Sequence, residues 1–560
     1  MTSRMNSPST VRPKTATKPV KTAKKKGAEP EVLPPLIDLE SMRRSVSARY
    51  LRWQGKFDTD VADRWVPWVA WAVLFAALVT LAFGRHQALD SGSTIAEYLQ
   101  AAWFIRQGQP PQLTIIETHM LAVQLSWIMY PVAQLTRLAS PWAVLLTLQS
   151  LALSAGVVPL WRVSREVARL RAGGALALVT AYALFPAVHN LNLADFHPEA
   201  LAVPFLLGCF RYGLRERWIP FGICAAIAVS CRADLGLAVA GIGIVIALEK
   251  NRRAGTITII AGVAYSALAV FVLQPFFANG NEVHVNAFAV FGDTPVEVLR
   301  GMITHPFTAI SELFREGNFQ ALVVLLAPVA FLPIIAPRYL MPLVPLQALY
   351  LMADVGTAET AQQFVPGIAF VFVAAGAVLA RTGRAGVTRI MVDRRLLGAV
   401  LLAAAVFFVR DSASSPYRDP WAWDRDALDL ERADIVVNID FVDLLDGSEQ
   451  PAMRTEFERS IMASESLLAE LGERDFVYRV RTLPARNGSP SILLPSPAPA
   501  FVAIDATAFA NPDRDRARWR NSLDDKVFTD LNGAELTYRL ERTPGANIDL
   551  YKLEAAGPEA

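Results

Sequence analysis

Residues Asp195 to Glu199 bring two carboxylates and the imidazole of His197 together within one short segment. They lie between the apolar runs 173–191 and 199–214, each long enough to approach a membrane crossing. Ionisable groups at the edge of a bilayer are costly and usually mark a functional site. We therefore take these three side chains as candidates for substrate binding. The alternative is that the two carboxylates cap the helix that follows.

Other candidates are polar residues that stand between apolar runs elsewhere in the chain: Asp90, Glu97, Gln100, Glu117, His119, Arg232 and Asp234. A carboxylate after the first crossing can act as a general base on an acceptor hydroxyl. A second carboxylate or a histidine can hold a divalent cation that neutralises a phosphate leaving group. Arginine suits phosphate because its planar donors pair with two oxygens at once. The alternative for Arg232 and Asp234 is a local ion pair that closes a helical turn.

The composition indicates a membrane protein built from helices. Of 560 residues, 53% are hydrophobic and only 19% are charged, and the mean hydropathy is +0.31. Apolar runs of roughly 17–25 residues recur, which is the length that a spanning helix needs. The net charge of +2 gives no reason to expect a nucleic-acid partner. Three cysteines lie in or next to apolar runs, in a spacing that suggests neither a zinc site nor disulfides.

Basic residues between the apolar runs predict the topology, because cytoplasmic loops carry excess Lys and Arg. The segment before the first long run, 64–84, is basic, so we expect a cytoplasmic N-terminus. The later basic clusters all fall on this side if the chain crosses about eleven times. We interpret 119–137 as an interfacial or re-entrant helix, since Gln124 and Pro131 interrupt it. The candidate residues then gather on the outer face.

These patterns predict three parts: a disordered basic cytoplasmic tail over 1–60, a transmembrane domain over 61–410 and an extracytoplasmic domain over 411–560. In the last part, alternating runs predict strands at 476–480 and 501–504. The segment 451–472 predicts a helix. We expect a small α/β or α+β domain there, outside the cytoplasm because the number of crossings is odd.

The order of several short motifs resembles the family of predicted membrane proteins called domain of unknown function 2079. The resemblance covers roughly 65–405, and the matching pieces are Leu89-Asp90-Ser91-Gly92, Gln100-Ala101-Ala102-Trp103, Glu117-Thr118-His119, Ala194-Asp195-Phe196-His197-Pro198-Glu199 and Cys231-Arg232-Ala233-Asp234. The fourth segment, with its Asp-Phe-His-Pro order, is the most specific. Ala233 departs from the pattern, because the family often has a glutamate there.

That family is similar to the GT-C glycosyltransferases, which are polytopic all-α enzymes that use lipid-phosphate sugars at the outer face. The resemblance implies a GT-C-like helical bundle in a bacterial plasma membrane. It also implies that Asp90 is the catalytic base. The implied donor is a polyprenyl-phosphate sugar, and the implied acceptor is an envelope glycan or protein. A divalent cation, Mg²⁺ or Mn²⁺, is compatible with this chemistry, with Asp195 and His197 as candidate ligands.

Two other classes of function stay open at this point. A lipid or solute transporter, or a flippase, would need polar residues along a path through the membrane. A non-catalytic scaffold would use the 411–560 domain to bind an envelope partner. A shared outer cavity lined by Asp90, His119, Asp195 and Arg232 would favour the enzyme.

Overall fold

The structure, a computed structural model, describes residues 45, 48–49, 52, 56–87, 91–278, 288–313, 318–353, 365–386, 389–415, 460–472, 476–483, 491–493, 499–505, 523, 527–529, 535–545 and 548–555. The chain divides into two compact units, Met1–Gly55 and Lys56–Ala560, and everything below concerns the second. Asp90 lies outside the described residues, and so does most of the segment 411–459.

The first half of this unit is helical apart from one small hairpin, and its elements are α1 (Asp60–Gln87), α2 (Ser93–Arg106), β1 (Gln112–Leu113), β2 (Thr118–His119), α3 (Met120–Val123), α4 (Met129–Leu135), α5 (Pro141–Ala155), α6 (Val157–Arg162), a π-helical turn (Val163–Val167), α7 (Ala172–Ala183), α8 (Pro186–Asn192), a 3-10 turn (Pro198–Leu201), α9 (Ala202–Gly213), α10 (Trp218–Cys231), α11 (Leu235–Glu249), α12 (Arg252–Leu268), a π-helical turn (Ala269–Leu273) and α13 (Gln274–Ala278).

More helices follow, and then a sheet: α14 (Pro295–Thr304), α15 (Pro306–Leu313), α16 (Asn318–Leu326), 3-10 turns (Ala327–Val329, Leu332–Ile335), α17 (Pro337–Leu340), α18 (Leu343–Met352), a 3-10 turn (Val365–Gly367), α19 (Ile368–Thr382), β3 (Arg384–Ala385), β4 (Ile390–Met391), α20 (Arg394–Asp411), β5 (Ile461–Ala463), α21 (Glu465–Leu471), β6 (Val477–Arg479), β7 (Arg481–Leu483), β8 (Ser491–Leu493), β9 (Phe501–Asp505), β10 (Val527–Thr529), β11 (Glu535–Gly545) and β12 (Ile548–Ala555).

Five helical segments among the described residues are long and apolar enough to cross a membrane: Asp60–Gln87, Pro141–Val167, Ala172–Asn192, Arg252–Ala278 and Val365–Thr382. Three shorter apolar helices, α10, α11 and α18, accompany them. The last of the five segments, which contains α19, is the most buried, whereas α1 and the segment that begins with α12 expose most of their apolar side chains, as expected of helices that face lipid. The number of crossings that the sequence predicts stays a prediction.

Three predicted elements differ in the structure. The single helix predicted over 119–137 is divided into α3 and α4, because residues 124–128 belong to neither helix. The apolar run 319–336 is interrupted after Leu326, where Ala330 and Phe331 adopt a left-handed backbone beside two proline-containing turns. The predicted helix over 451–472 is wrong in its middle, because Ile461–Ala463 forms a strand. Glu465–Leu471 is helical, and residues 451–459 lie outside the described residues.

The helices α11 and α12 pack closely because glycines face each other along their contact. A Cβ on Gly262 would lie 2.4 Å from the carbonyl oxygen of Gly236, and a Cβ on Gly255 would lie 2.5 Å from that of Gly243. Small residues at such spacing let helix backbones approach within a bilayer. This pair forms one wall of the cavity described below.

The C-terminal sheet has the strand order β10-β11-β12-β9-β5-β6, and it is mixed. Strand β5 pairs in parallel with β6 and β9, and the other pairs are antiparallel. Its short helix α21 packs on α2, and the two elements share one buried apolar cluster that includes Ala96, Leu467 and Leu471. The C-terminal sheet therefore holds α2 in place. Its position outside the cytoplasm stays a prediction.

Candidate functional site

The carboxylate of Asp195 holds the start of α2. Its two oxygens accept the backbone N–H of Gly92 at 3.0 and 2.9 Å, and Oδ1 lies 3.3 Å from Nη1 of Arg85. A Cβ on Gly92 would lie 2.6 Å from Oδ2 of Asp195, so a larger residue would require the carboxylate or the backbone to move. Gly92 is two residues after Asp90, the predicted base. The contact therefore fixes the chain directly after that residue.

Asp195 itself is held by Gln149 of α5. The buried Gln149 amide donates to the carbonyl oxygens of Leu191 and Asp195, and its oxygen accepts the backbone N–H of His197. Asp195 has a φ of +70°, an uncommon conformation for a residue other than glycine, and such residues cluster at functional sites. The predicted capping role is wrong for Asp195, because its carboxylate bonds Gly92 and the 3-10 turn that follows has no side-chain cap.

A carboxylate from the C-terminal sheet region contacts the same segment. Oε1 of Glu465, the first residue of α21, accepts the backbone N–H of Ser93 at 3.3 Å. Its other oxygen lies 2.5 Å from a guanidinium nitrogen of Arg479. The chain directly after Asp90 is thus held by two carboxylates. Asp195 binds the N–H of Gly92, and Glu465 binds the N–H of Ser93.

Glu97 lies one turn further along α2, half-buried near these carboxylates. Burial raises the pKa of Glu97 from 4.5 to about 7. The nearby Arg479 opposes this shift of the pKa, whereas the negative charges of Asp195 and Glu465 add to it. The side chain therefore exists in both protonation states near neutral pH, which is the range in which a carboxyl group can transfer protons.

Arg232 is the centre of a second, buried cluster. Its Nε and Nη2 donate to the two carboxylate oxygens of Asp234 at 2.6 and 2.9 Å, and its Nη1 donates to Oε1 of Glu199 at 3.2 Å. The Tyr350 hydroxyl donates to Asp234 at 2.9 Å, and the guanidinium lies 5.0 Å from the Tyr350 ring centroid. The local ion pair that the sequence suggests is present, and Glu199 extends it to the 3-10 turn Pro198–Leu201.

One carboxylate oxygen of this cluster lacks a hydrogen-bond partner in the part of the chain that the structure describes. Glu199 is fully buried, and its Oε2 makes no hydrogen bond among the described residues. The three charged side chains carry one positive and two negative charges, so the cluster has a net negative charge when both acids are ionised. An unsatisfied buried carboxylate oxygen is costly, and a bound hydroxyl or water donor would relieve the cost.

Tyr98 lies between the two clusters. Its hydroxyl donates to Oε1 of Gln124 at 2.9 Å, and its ring packs edge-on against Phe196 with centroids 5.4 Å apart. Burial raises the pKa of Tyr98 well above its ordinary value, and the carboxylates of Glu199 and Glu97 raise it further. Tyr98 therefore stays a neutral hydrogen-bond donor at physiological pH.

A cavity of about 520 Å³ opens beside Asp234. Its walls are mainly apolar and come from α11, α12, α14 and neighbouring segments; they include Leu237, Val263, Val270 and Met302. Asp234 and Gln274 are among its few polar lining residues. The charged cluster therefore borders a space that suits hydrocarbon.

The structure brings only some of the predicted residues into these clusters. Gln100 binds Thr114, whose hydroxyl donates to the carbonyl of Val477, so it links α2 to the C-terminal sheet. His119 accepts the backbone N–H of Leu121 and stacks on a phenylalanine ring, and burial lowers its pKa. Glu117 adopts a left-handed backbone, with a φ of +55°, in the turn before β2.

His197 contacts this region mainly through its backbone. Its N–H donates to Gln149, and Nδ1 lies 3.4 Å from the carbonyl oxygen of Asp195. Across the described ranges, no group of three or more His, Cys, Asp or Glu side chains is arranged to hold a metal ion. The predicted ligand pair of Asp195 and His197 thus has no third such ligand in the described chain.

Sequence reasoning missed three contributors: Arg85, Tyr350 and Glu465. Arg85 follows the first apolar run and comes shortly before Asp90. Its charge at that position could have identified it as a candidate from the sequence. Nothing near Tyr350 or Glu465 in the sequence connects them with residues more than a hundred positions away.

Three comparisons relate the chain to known proteins. No curated protein matches the chain. Among solved structures, ArnT from Cupriavidus metallidurans, crystallised with undecaprenyl phosphate, is similar with a TM-score of 0.46 and 12% sequence identity, over 87% of this chain and 99% of that chain. The family described as "Predicted membrane protein (DUF2079)" matches residues 85–529, which is well over half of the sequence. The chain belongs to this family of predicted membrane proteins.

Proposed function

We propose that this protein is an integral-membrane glycosyltransferase that moves a sugar from a polyprenyl-phosphate donor to an envelope acceptor at the outer face of the plasma membrane. The observation that carries the proposal is the buried Oε2 of Glu199, which has no hydrogen-bond partner among the described residues and belongs to an ion cluster that borders an apolar cavity. A polar site joined to a hydrocarbon-compatible space suits a ligand with a sugar at one end and an isoprenoid chain at the other.

The cavity beside Asp234 takes the part of the isoprenoid chain nearest the phosphate. Its apolar walls gain from burying hydrocarbon, at about 25 cal/mol per Å² removed from water. Because Asp234 lies at this cavity and binds Arg232, the donor's polar end lies near the Glu199–Arg232–Asp234 cluster. Oε2 of Glu199 then accepts a hydroxyl of the sugar.

The reaction is a single displacement at the anomeric carbon. The acceptor hydroxyl loses its proton to the carboxylate of Asp90, and its oxygen forms a bond to the anomeric carbon. The bond from that carbon to the phosphate oxygen breaks, and polyprenyl phosphate leaves with the electron pair. Inversion at the anomeric carbon follows from one displacement.

Negative charge around the sugar favours this transition state, because positive charge develops on the ring as the phosphate departs. The buried cluster of Glu199, Arg232 and Asp234 supplies that charge when both acids are ionised. Its geometry is set before the donor arrives, since Arg232 fixes both carboxylates.

The guanidinium of Arg232 is bound to carboxylates before any phosphate departs. Each of its three guanidinium nitrogens already donates to a carboxylate. We therefore assign it mainly to positioning Glu199 and Asp234. No step runs through a divalent cation, because the described residues do not bring three side-chain ligands together.

The outer location rests on the distribution of basic residues, which favours a cytoplasmic N-terminus and an outer loop after the first crossing. The same argument puts the C-terminal sheet outside, where Glu465 and Arg479 contact the segment after Asp90. An acceptor in the cell envelope would reach the site from this side.

The experiment is mass spectrometry of lipids that co-purify with the full chain. Wild type should retain a polyprenyl-phosphate lipid, and Met302→Trp, which fills the cavity, should retain at least about tenfold less. Ile303→Trp is the matched control, because Ile303 is the next residue of α14, is 70% exposed and is not among the residues that line the cavity. Equal retention by both variants would remove the cavity from the proposal.

A further inference from the structure

The cavity beside Asp234 is too small for a whole polyprenyl chain. Its volume is about 520 Å³, which is in the range that holds a drug-sized molecule. A polyprenyl-phosphate donor carries many isoprene units, so only the units nearest the phosphate fit inside this cavity. The rest of the chain must leave through the cavity wall.

One side of the cavity wall is exposed, and this side shows where the chain can leave. Three exposed lining residues, Val263, Ala267 and Phe271, belong to the helical segment Arg252–Ala278. They recur at every fourth position, which puts them on one face of that segment. Leu299 of α14 also lines the cavity and is 47% exposed. We call these four residues the mouth of the cavity.

The other end of the cavity is buried and joins the charged cluster. Asp234 and Ser266 line the cavity there and are both buried. Asp234 binds the guanidinium of Arg232, and the Ser266 hydroxyl donates to the carbonyl oxygen of Ala233 at 2.9 Å. A donor with its phosphate near this end therefore directs its chain toward the mouth.

The surface around the mouth is apolar and exposed. Ile260, Leu268 and Val272 belong to the same helical segment and are exposed without lining the cavity. This segment is one of the five that are long and apolar enough to cross a membrane. Lipid tails are as apolar as these side chains, so such a face is suited to contact with the bilayer.

The helix α14 has the pattern of a helix at the membrane surface. Its exposed apolar residues Val296, Leu299 and Ile303 recur at spacings of three and four, which puts them on one face. Glu297 and Arg300 of the same helix are exposed as well. An amphipathic helix of this kind lies in the interface with its apolar face toward the acyl chains. Leu299 belongs both to this apolar face and to the cavity wall.

We propose that the cavity opens sideways into the bilayer through the mouth between α12 and α14, and that the distal part of the polyprenyl chain passes through it into the surrounding lipid. This inference rests on the proposed function, because the occupant is its polyprenyl-phosphate donor. It adds the route by which the donor binds. The donor enters from within the membrane, and its chain stays in contact with hydrocarbon throughout.

The test compares a long-chain probe, undecaprenyl phosphate, with a short-chain probe, geranyl phosphate. Native mass spectrometry of the full chain in nanodiscs counts the retained molecules. Leu299→Trp narrows the mouth, so it should lower retention of undecaprenyl phosphate at least about tenfold and leave that of geranyl phosphate within about twofold. Met302→Trp, which fills the cavity, should lose both probes.

Val296→Trp is the matched control for the mouth variant. Val296 lies about one turn before Leu299 on the exposed face of α14 and is not among the residues that line the cavity, so this variant should retain both probes as wild type does. If Leu299→Trp does not fold, Val263→Trp narrows the mouth from α12, with Ile260→Trp as its control.

Two results would overturn the mouth while leaving the proposed function in place. One is that a folded mouth variant keeps both probes or loses both to the same extent. The other is a wild-type dimer that becomes a monomer in Leu299→Trp, since a second copy of the chain would then cover this face. Wild type that retains neither probe would instead refute the proposed donor site together with the mouth.

Discussion

Both carboxylate oxygens of Asp195 accept the single backbone N–H of Gly92, at 3.0 and 2.9 Å, across 103 positions of sequence. This contact joins the loop before the 3-10 turn at Pro198 to the start of α2. It also sets the position of the chain that follows Asp90. A residue predicted to bind substrate thus serves, in our proposal, to position the predicted base.

Gly92→Ala should strongly reduce sugar transfer. The new Cβ would lie 2.6 Å from Oδ2 of Asp195, so the carboxylate or the backbone must move. A shift of about 1 Å at the reacting groups lowers the reaction rate roughly 100-fold. The measurement is the initial rate of transfer by purified protein at equal concentration. Gly222→Ala is the control, because a Cβ there meets nothing within 4 Å, and equal rates in the two variants would refute the role of this contact.

Glu199→Gln should separate catalysis from stability. Glutamine can still accept from Nη1 of Arg232, and its amide replaces an oxygen that has no partner among the described residues. We expect a thermal midpoint close to that of wild type and a transfer rate reduced at least about 100-fold, since a charge near the sugar is lost. A fully active variant would exclude Glu199 from the reaction.

Arg232→Ala should behave in the opposite way and destabilise the fold. The change leaves the buried Glu199 and Asp234 without their counter-ion, and such a loss costs about 3–5 kcal/mol. The measurement is the denaturation midpoint in detergent. Arg338→Ala is the control, because this arginine pairs with Glu249 while 50% of its side chain is exposed. If both variants shifted the denaturation midpoint by similar small amounts, Arg232 would not be the counter-ion on which the buried cluster depends.

The pKa of Glu97 predicts a pH-dependent stability. Its pKa is about 7 in the folded protein and 4.5 ordinarily, so between these values the unfolded chain releases a proton that the folded chain keeps. Stability should therefore fall as the pH rises from 4.5 to 7 and then level off. Glu97→Gln should lose this part of the pH dependence, as measured by thermal midpoints at pH 5 and 7.5. Glu216→Gln, at an exposed turn, should keep it, and an unchanged slope in Glu97→Gln would exclude this role.

Sequence reasoning predicted the site residues best where the physical signal was local in the sequence. Glu199, Arg232 and Asp234 stood out because ionisable groups beside apolar runs are costly, and the structure brings these three together. The family and the apolar helices were likewise predictable from motifs and hydropathy. Gln100 was selected as a polar residue between apolar runs and as part of a motif, and neither signal indicates its contact with Thr114.

Contacts over long sequence distances could not be predicted from one sequence. Glu465 contacts Ser93 because α21 packs on α2, and no periodicity encodes that packing. The helix predicted over 451–472 is wrong at 461–463, since an apolar run of three residues fits a buried strand as well as a helix.

The most direct test measures release of polyprenyl phosphate from a polyprenyl-phosphate sugar by the purified full chain in nanodiscs, with an envelope extract as acceptor. The account predicts release coupled to sugar transfer by wild type, and none above background by Asp90→Asn or Glu199→Gln, although both variants remain folded. Release at the wild-type rate by Asp90→Asn, or no release by a folded wild-type protein that carries the lipid, would contradict the proposed reaction.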